Sequence, residues 1–111
     1  MPSIEVRHYL TPEGRDPFAE GVERLRDKRA RAAVLLRIGR MERGLFGDAR
    51  SVGGGVSELR IDVGPGYRVY FGRIGDRIVL LLCGGDKRRQ DDDIARAKRY
   101  WASYSEGTGT Q

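Results

Sequence analysis

The chain has 111 residues, of which 39% are hydrophobic, and this size predicts one compact domain with a modest core. Basic residues outnumber acidic ones by 21 to 16, and a net charge of +5 favours a polyanion or an acidic protein surface as partner, unless the charge is simply solvated. No apolar run is long enough to span a membrane, and the N-terminus lacks a signal-peptide core, so we expect a soluble, cytoplasmic protein.

The first half of the chain predicts a short strand and two helices. Ile4 and Val6 alternate with polar residues, as in a strand with one wet face. Asp16 followed by Pro17 is typical of a helix start, and Asp27 and Lys28 mark the break before a longer second helix. The second helix is expected to end at Gly44 and Gly47. Its apolar positions keep helical spacing: Ala30, Val34, Ile38, Met41 and Leu45.

Positive charge is concentrated on this helical region. Residues 24 to 50 contain nine basic and three acidic side chains, an excess larger than the net charge of the whole chain. The basic face opposite the apolar stripe includes Arg29, Arg37, Arg40 and Arg43. Such a one-sided face favours contact with nucleic-acid phosphates or with an acidic protein, although a solvated surface is the simpler alternative.

The second half predicts three strands followed by a helix. Alternating residues 56–63 and 67–71 and the apolar run 78–83 read as an antiparallel meander joined by short turns. Asp91 is the expected cap of a last helix. Its apolar side is Ile94, Ala97, Trp101 and Tyr104.

These elements predict an α+β fold, in the order β-α-α-β-β-β-α, with the helices packed on one side of an antiparallel sheet. Residues 1–105 form the single domain, and residues 106–111 are expected to be a disordered tail.

Several chemistries do not fit the composition. One histidine and one cysteine cannot build a usual zinc site, and Cys83 lies in an apolar run where a thiol behaves as a buried hydrophobe. The glycine-rich stretches lack the lysine of a phosphate loop. Asp91, Asp92 and Asp93 are consecutive and suit helix capping better than a metal. We therefore expect neither a metal nor another cofactor.

A cationic set remains on the predicted sheet. Arg60 and Arg68 lie on adjacent strands, and Lys87, Arg88 and Arg89 follow the third. The arginine fork suits a phosphate, and several cations around one phosphate stabilise the charge that develops during phosphoryl transfer. Alternation places Tyr70 outward beside Arg68, where its ring could stack on an RNA base. Ordinary ion pairs with Glu58, Asp62 or Asp76 are the alternative.

The segments ELRID, GPGYRVYF, LLLCGGDK and Q..DI..A...W resemble the RelE/ParE superfamily of toxins, most closely the HigB-like branch of addiction-module killer proteins. The resemblance covers about residues 4 to 104. It implies a RelE-like fold of the microbial RNase type. For the RelE-like branch it also implies cleavage of mRNA in the ribosome, through attack of the ribose 2′-OH on the adjacent phosphate without a metal.

Carried over position by position, the resemblance makes Arg68, Arg60 and Lys87 the catalytic residues, with Arg88 the alternative to Lys87. Glu58 stands where the family has a second lysine, and it could act as a general base or pair with Arg60. No residue clearly matches the tyrosine that RelE-like enzymes carry near the C-terminus. The full set of expected RNA-contacting residues is Arg88, Arg89, Tyr70, Glu58, Arg37, Arg40 and Arg43.

The resemblance also implies partners. A small helix-turn-helix antitoxin would neutralise the protein, and their complex would bind operator DNA; the targets would be the ribosome and its mRNA. The basic helix could meet ribosomal RNA or the antitoxin. Because the same fold also hosts ParE-like toxins, inhibition of DNA gyrase by binding alone is the alternative function, and a degenerate toxin that acts only in repression is a third.

Overall fold

The structure, a computed structural model, describes residues 3–109 as a five-stranded sheet with three helices. A single turn of 3-10 helix, Lys87–Arg89, joins the last strand to the last helix. The elements in chain order are β1 (Glu5–His8), α1 (Pro17–Glu23), α2 (Lys28–Met41), β2 (Ala49–Gly53), β3 (Val56–Ile61), β4 (Tyr67–Ile74), β5 (Ile78–Asp86) and α3 (Gln90–Gly109).

The sheet confirms the α+β class but is mixed rather than antiparallel. Its strand order is β1-β5-β4-β3-β2, and β1 runs parallel to β5 while all other neighbours are antiparallel. The parallel pair joins distant parts of the chain and therefore leaves no hairpin signal. The prediction also missed β2, because most of this edge strand is exposed and its sequence ARSVG shows no clear apolar alternation.

Helices cover both faces of the sheet, so the prediction that they pack on one side is wrong. Leu59, Val69 and Phe71 belong to the core under α1 and α2. Val56 and Leu80 belong to the second core, under α3. The physical reason is the apolar run of β5: its residues 79–84 are all buried, which requires cover on both faces.

The two N-terminal helices begin as the sequence predicts. The Asp16 carboxylate accepts a hydrogen bond from the backbone N–H of Ala19 at 3.0 Å. Asp27 caps α2 in the same way, through the N–H of Arg29 at 2.9 Å. α2 ends at Met41, before the glycines that were expected to end it. Leu45 therefore lies beyond the helix, and it is 54% exposed instead of packed in the core.

α3 approaches the sheet closely where the sheet carries glycine. A Cβ atom on Gly72 would lie 2.2 Å from a ring carbon of Trp101, so the indole occupies the space that a side chain would need. α3 begins at Gln90, which places Asp91 inside its first turn. It continues to Gly109, so residues 106–109 are helical rather than a tail, and residues 110–111 lie outside the described residues.

Candidate active site

Strand register brings the predicted catalytic cations to one end of the sheet. Arg60 on β3 lies directly opposite Arg68 on β4. Tyr67, the first residue of β4, pairs with Asp86, the last residue of β5. Lys87 therefore lies just beyond this end of the sheet. Arg60, Arg68 and Lys87 line a single cleft of about 400 Å³. We call this the cationic cleft.

The turn Gly64-Pro65-Gly66 forms one wall of the cationic cleft. Gly64 and Gly66 have φ angles of 55° and 95°, a region that residues with a side chain avoid. The N–H of Gly66 donates to the carbonyl of Val63 at 2.9 Å and closes the turn. Arg68 Nη1 lies 3.7 Å from the position that a Cβ on Gly66 would take, so its guanidinium lies against the turn.

Two carboxylates, Asp48 and Asp62, also line the cleft. Arg60 Nε donates to Asp48 Oδ2 at 3.2 Å, and both side chains are about half exposed, at 48% and 59%. An exposed pair of this kind contributes little to stability, so a phosphate could replace Asp48 as the partner of Arg60 at small cost. Lys87 is exposed at the rim.

Glu58 is the buried anion behind the cleft, with no exposed surface. Its Oε2 accepts hydrogen bonds from Tyr70 Oη at 3.1 Å and from Gln90 Nε2 at 2.9 Å, and its Oε1 accepts one from Arg50 Nε at 3.1 Å. Arg68 Nε lies 3.6 Å from Oε2, an ion pair too long for a hydrogen bond. Only 12% of the Arg68 side chain is exposed, so the charge of Glu58 holds that cation at the inner end of the cleft.

The predictions that Tyr70 and Glu58 contact RNA are wrong, because both side chains are fully buried. Alternation places them correctly on the same face as Arg60 and Arg68, but the first turn of α3 covers that face. Burial, together with the nearby charge of Glu58, raises the pKa of Tyr70, so its phenol stays neutral. Both belong to the buried network beside Arg68, where the Tyr70 ring cannot stack on a base.

The other cations after β5 do not line the cationic cleft. Arg88 is 85% exposed and pairs with Asp86 at 3.0 Å. Arg89 lines a different cavity of about 180 Å³ between α1 and α3, together with Asp93 and Arg96. Of the three consecutive cations, Lys87 alone lines the cationic cleft.

The arginines of the basic helix form no part of the cleft. Arg37 donates to the backbone carbonyls of Arg60 at 2.8 Å and Phe46 at 3.1 Å, so it ties α2 to the sheet. Arg40 is exposed on α2, and Arg43 follows the end of that helix. α2 packs on the sheet face opposite to the side chains of Glu58 and its neighbours. The two basic regions are therefore separate.

Sequence reasoning missed Asp48, Arg50 and Gln90. Gln90 is 32 residues from Glu58 along the chain, and no local pattern indicates that contact. Arg50 lies in β2 and Asp48 directly precedes it; since β2 was not predicted, their positions beside β3 could not be anticipated. A pattern of exposed residues in β2 would have been needed to predict these contacts from the sequence.

The remaining reactive groups lie elsewhere. His8 Nδ1 is 2.6 Å from Asp16 Oδ2, away from the cationic cleft. Cys83 is buried, as predicted, and burial raises the pKa of its thiol to about 12. Across residues 3–109, no three His, Cys, Asp or Glu side chains are grouped so that they could hold a metal ion. In that same range no helix is both long enough and apolar enough to cross a membrane.

Fold and site together define an α+β protein with a cationic cleft at one end of a mixed sheet. The chain is 49% identical, over 96 residues, to an uncharacterized protein of Haemophilus influenzae, and the match covers 86% of this chain and 91% of the relative. The chain therefore belongs to the same family as that protein. No protein-family model matches the chain.

Proposed function

We propose that the protein is a RelE-like toxin of a type II toxin–antitoxin module and cleaves mRNA in the ribosome. The observation that carries the proposal is the convergence of Arg60, Arg68 and Lys87 on one cleft of about 400 Å³. Two guanidinium groups and an ammonium group can surround the non-bridging oxygens of a single phosphate. The sequence resemblance, which rests on the same segments, supplies the substrate class.

The proposed reaction is an internal transesterification. The 2′-oxygen of a ribose attacks the adjacent phosphorus while the bond from phosphorus to the 5′-oxygen breaks, which leaves a 2′,3′-cyclic phosphate and a 5′-hydroxyl. Arg60 and Arg68 stabilise the charge that develops on the phosphate, and Lys87 donates a proton to the leaving oxygen. Asp48 and Asp62 are the carboxylates of the cleft that could accept the 2′-hydroxyl proton.

The proposed partners follow from the resemblance and the charge. They are the ribosome with its mRNA, a helix-turn-helix antitoxin, and operator DNA through the antitoxin complex. A net charge of +5 would attract the protein to ribosomal RNA and to an acidic antitoxin alike.

The test is induced expression with mapping of mRNA 5′ ends, in cells that produce the wild-type chain, Lys87→Ala or Lys28→Ala. Lys87 is a better target than Arg68, because Arg68 is nearly buried beside Glu58 and its loss would disturb the buried carboxylate. Lys28 is the control, since it is also an exposed lysine and lies at the start of α2.

We expect new 5′ ends within translated codons for the wild-type chain and for Lys28→Ala, and their loss with Lys87→Ala. Intact mRNA in growth-arrested cells would contradict the proposal. If those cells also accumulated broken DNA, the ParE-like alternative, inhibition of gyrase by binding, would replace it.

A further inference from the structure

The cavity of about 180 Å³ between α1 and α3 lies beside the end of β5 and is separate from the cationic cleft. Three guanidinium groups line it, from Arg24 at the end of α1, Arg89 in the 3-10 turn and Arg96 on α3. Two buried side chains, Tyr67 and Asp93, line it as well. We call this the arginine cavity.

Buried polar atoms without a hydrogen-bond partner are concentrated around the arginine cavity. Among the described residues, five buried side-chain atoms have no such partner, and three of them belong to its lining: Tyr67 Oη, Asp93 Oδ2 and Arg96 Nε. Tyr67 is only 4% exposed and Asp93 only 2%. Buried polar groups in folded proteins are nearly always paired, so three unpaired atoms around one cavity are typical of a site that a polar ligand completes.

Glycines make room for these groups. A Cβ atom on Gly85 would clash with Asp93 Oδ2, and one on Gly84 would lie 3.0 Å from Tyr67 Oη. On α1, a Cβ on Gly21 would lie 2.9 Å from the same phenol oxygen. Glycine inside a strand is unfavourable, and it often marks a place where a ligand or another segment approaches closely. The glycine pair of β5 therefore gives the carboxylate and the hydroxyl positions that any side chain there would exclude.

The charges of the arginine cavity favour an anion. Two carboxylates line it, Asp86 and Asp93, and each forms an ion pair with its own arginine, at 3.0 and 3.2 Å. Arg24 and Arg89 are exposed, and neither makes an ion pair within the described part of the chain. Two guanidinium groups without an anion suit the oxygens of a phosphate or a sulfate.

The second oxygen of Asp93 selects among such anions. Its Oδ1 already accepts a hydrogen bond from Arg96, so Oδ2 can accept one from a ligand that carries a proton. Inorganic phosphate keeps one proton at neutral pH, whereas sulfate and the diester phosphates of RNA keep none. A carboxylate repels an anion that has no proton to share with it. Tyr67 acts as a donor, because burial raises its pKa to about 12 and its hydroxyl stays protonated.

We propose that the arginine cavity binds hydrogen phosphate, the protonated dianion of inorganic phosphate. Arg24 and Arg89 hold its oxygens, and its own O–H donates to Asp93 Oδ2. A cavity of about 180 Å³ has room for this ion, since about 150 Å³ is enough for benzene. The unpaired atoms are closed to solvent, so binding needs a small rotation of the side chains around them. This inference goes beyond the proposed nuclease function and does not depend on it.

The arginine cavity and the cationic cleft are connected by one turn of the chain. Arg89 shares its 3-10 turn with Lys87, which lines the cationic cleft. A phosphate held between Arg89 and Arg24 joins that turn to α1. Because it binds only the folded chain, phosphate should also raise the temperature of thermal unfolding.

The test is calorimetric titration of the full chain at about pH 8, with three probes at equal ionic strength. The probes are inorganic phosphate, which still carries one proton, sulfate, and uridine 5′-monophosphate, a monoester that has lost its second proton at this pH. The chains are the wild type, Asp93→Asn, Arg24→Ala and the matched control Arg26→Ala. Arg26 is also exposed and is two residues from Arg24, but it does not line the arginine cavity.

We expect phosphate to bind at least about tenfold more tightly than sulfate or the monoester. Arg24→Ala should weaken phosphate binding at least about tenfold, whereas Arg26→Ala should change it by less than about twofold. Asp93→Asn should remove the preference for phosphate over sulfate, because an amide N–H can donate to a sulfate oxygen. Circular dichroism would show that this variant is folded.

Several results would overturn the inference. One is the absence of phosphate binding, and another is equal binding of phosphate and either of the other two probes by the wild-type chain. Equal losses with Arg24→Ala and Arg26→Ala would show attraction to the net charge alone. If Arg60→Ala removed a phosphate binding that Arg24→Ala left intact, the ion would lie in the cationic cleft instead.

Discussion

The two faces of the sheet are built from different chemistry. The core under α1 and α2 is apolar, with the Tyr67 hydroxyl as its main polar group. The face under α3 holds Glu58 and Asp93, the two charged residues that are buried in the described chain. Burying a carboxylate is unfavourable unless hydrogen-bond donors surround it. The face with the buried carboxylates is also the one that carries the proposed site. The first face stabilises the fold, and the second also positions cations.

The two buried carboxylates differ in how well they are satisfied. Glu58 has three hydrogen-bond donors and the nearby Arg68. Asp93 accepts from Arg96 at 3.2 Å through Oδ1, while its Oδ2 has no hydrogen-bond partner in the described residues. Burial raises the pKa of Asp93 in consequence. Glu58 therefore stabilises the buried network beside Arg68, whereas the Asp93 carboxylate on the same face is only partly satisfied.

The largest effect on stability should come from Glu58→Ala. Its removal leaves Arg68 nearly buried without its anion and takes the acceptor from Tyr70 and Gln90, so we expect a loss of about 3–5 kcal/mol in unfolding free energy. Urea denaturation measures it, with the exposed Glu13→Ala as control, which should change stability by less than about 0.5 kcal/mol. Equal, small effects of both substitutions would show that the carboxylate network contributes nothing to this face.

Arg60→Ala and Arg40→Ala test whether the two basic regions differ in function. Arg60 lines the cationic cleft and Arg40 lies on α2, and both are exposed. Loss of one cation at the reacting phosphate should slow cleavage about 10²-fold, whereas loss of Arg40 should leave the rate of the chemical step unchanged. The measurement is single-turnover cleavage of mRNA on purified ribosomes. Equal losses of cleavage rate in the two variants would place α2 within the RNA site and show that the two basic regions share one function.

Two glycine substitutions should change the free energy of unfolding in opposite directions. Gly66 forms the wall of the cleft with a φ of 95°, so Gly66→Ala should cost about 1–2 kcal/mol and reduce cleavage. Gly39 lies inside α2 with open space around it, so Gly39→Ala should stabilise the chain by about 0.5–1 kcal/mol. Thermal unfolding of both variants checks this. Stabilisation by Gly66→Ala would show that the turn is not strained in the way its backbone angle indicates.

The smallest effect is a pH dependence that belongs to Asp93. Burial raises the pKa of Asp93 in the folded chain, so between the unfolded and folded pKa values the folded chain holds a proton that the unfolded chain has released. The contribution of Asp93 to the free energy of unfolding is therefore present below the unfolded pKa, and it is lost as pH rises through the folded pKa. For one proton, the slope of the unfolding free energy against pH cannot exceed about 1.4 kcal/mol per pH unit. Asp93→Asn should remove that slope, measured as the difference between the two unfolding curves from acidic to neutral pH. A constant difference across that range would exclude an unusual titration of Asp93.

The sequence was most informative where local pattern decides structure. Asp16 and Asp27 begin their helices as predicted, and the alternation around Arg60 and Arg68 places both on one face, because capping and strand period are local properties. The parallel pairing of β1 with β5 and the cover provided by α3 depend on distant contacts. Alternation shows which residues share a face of the sheet, but it does not show whether that face is exposed to solvent or covered by a helix. The errors at Tyr70 and Glu58 follow from this limit.

The proposed function requires that the cationic cleft hold a scissile phosphate. A crystal structure of the protein with a short RNA, blocked by a 2′-methoxy group at the cleavage position, tests it most directly. We predict a phosphate within hydrogen-bond distance of Arg60, Arg68 and Lys87, with Glu58 still buried behind Arg68 and no RNA on the exposed side of α2. RNA bound along α2, with the cleft unoccupied, would contradict it.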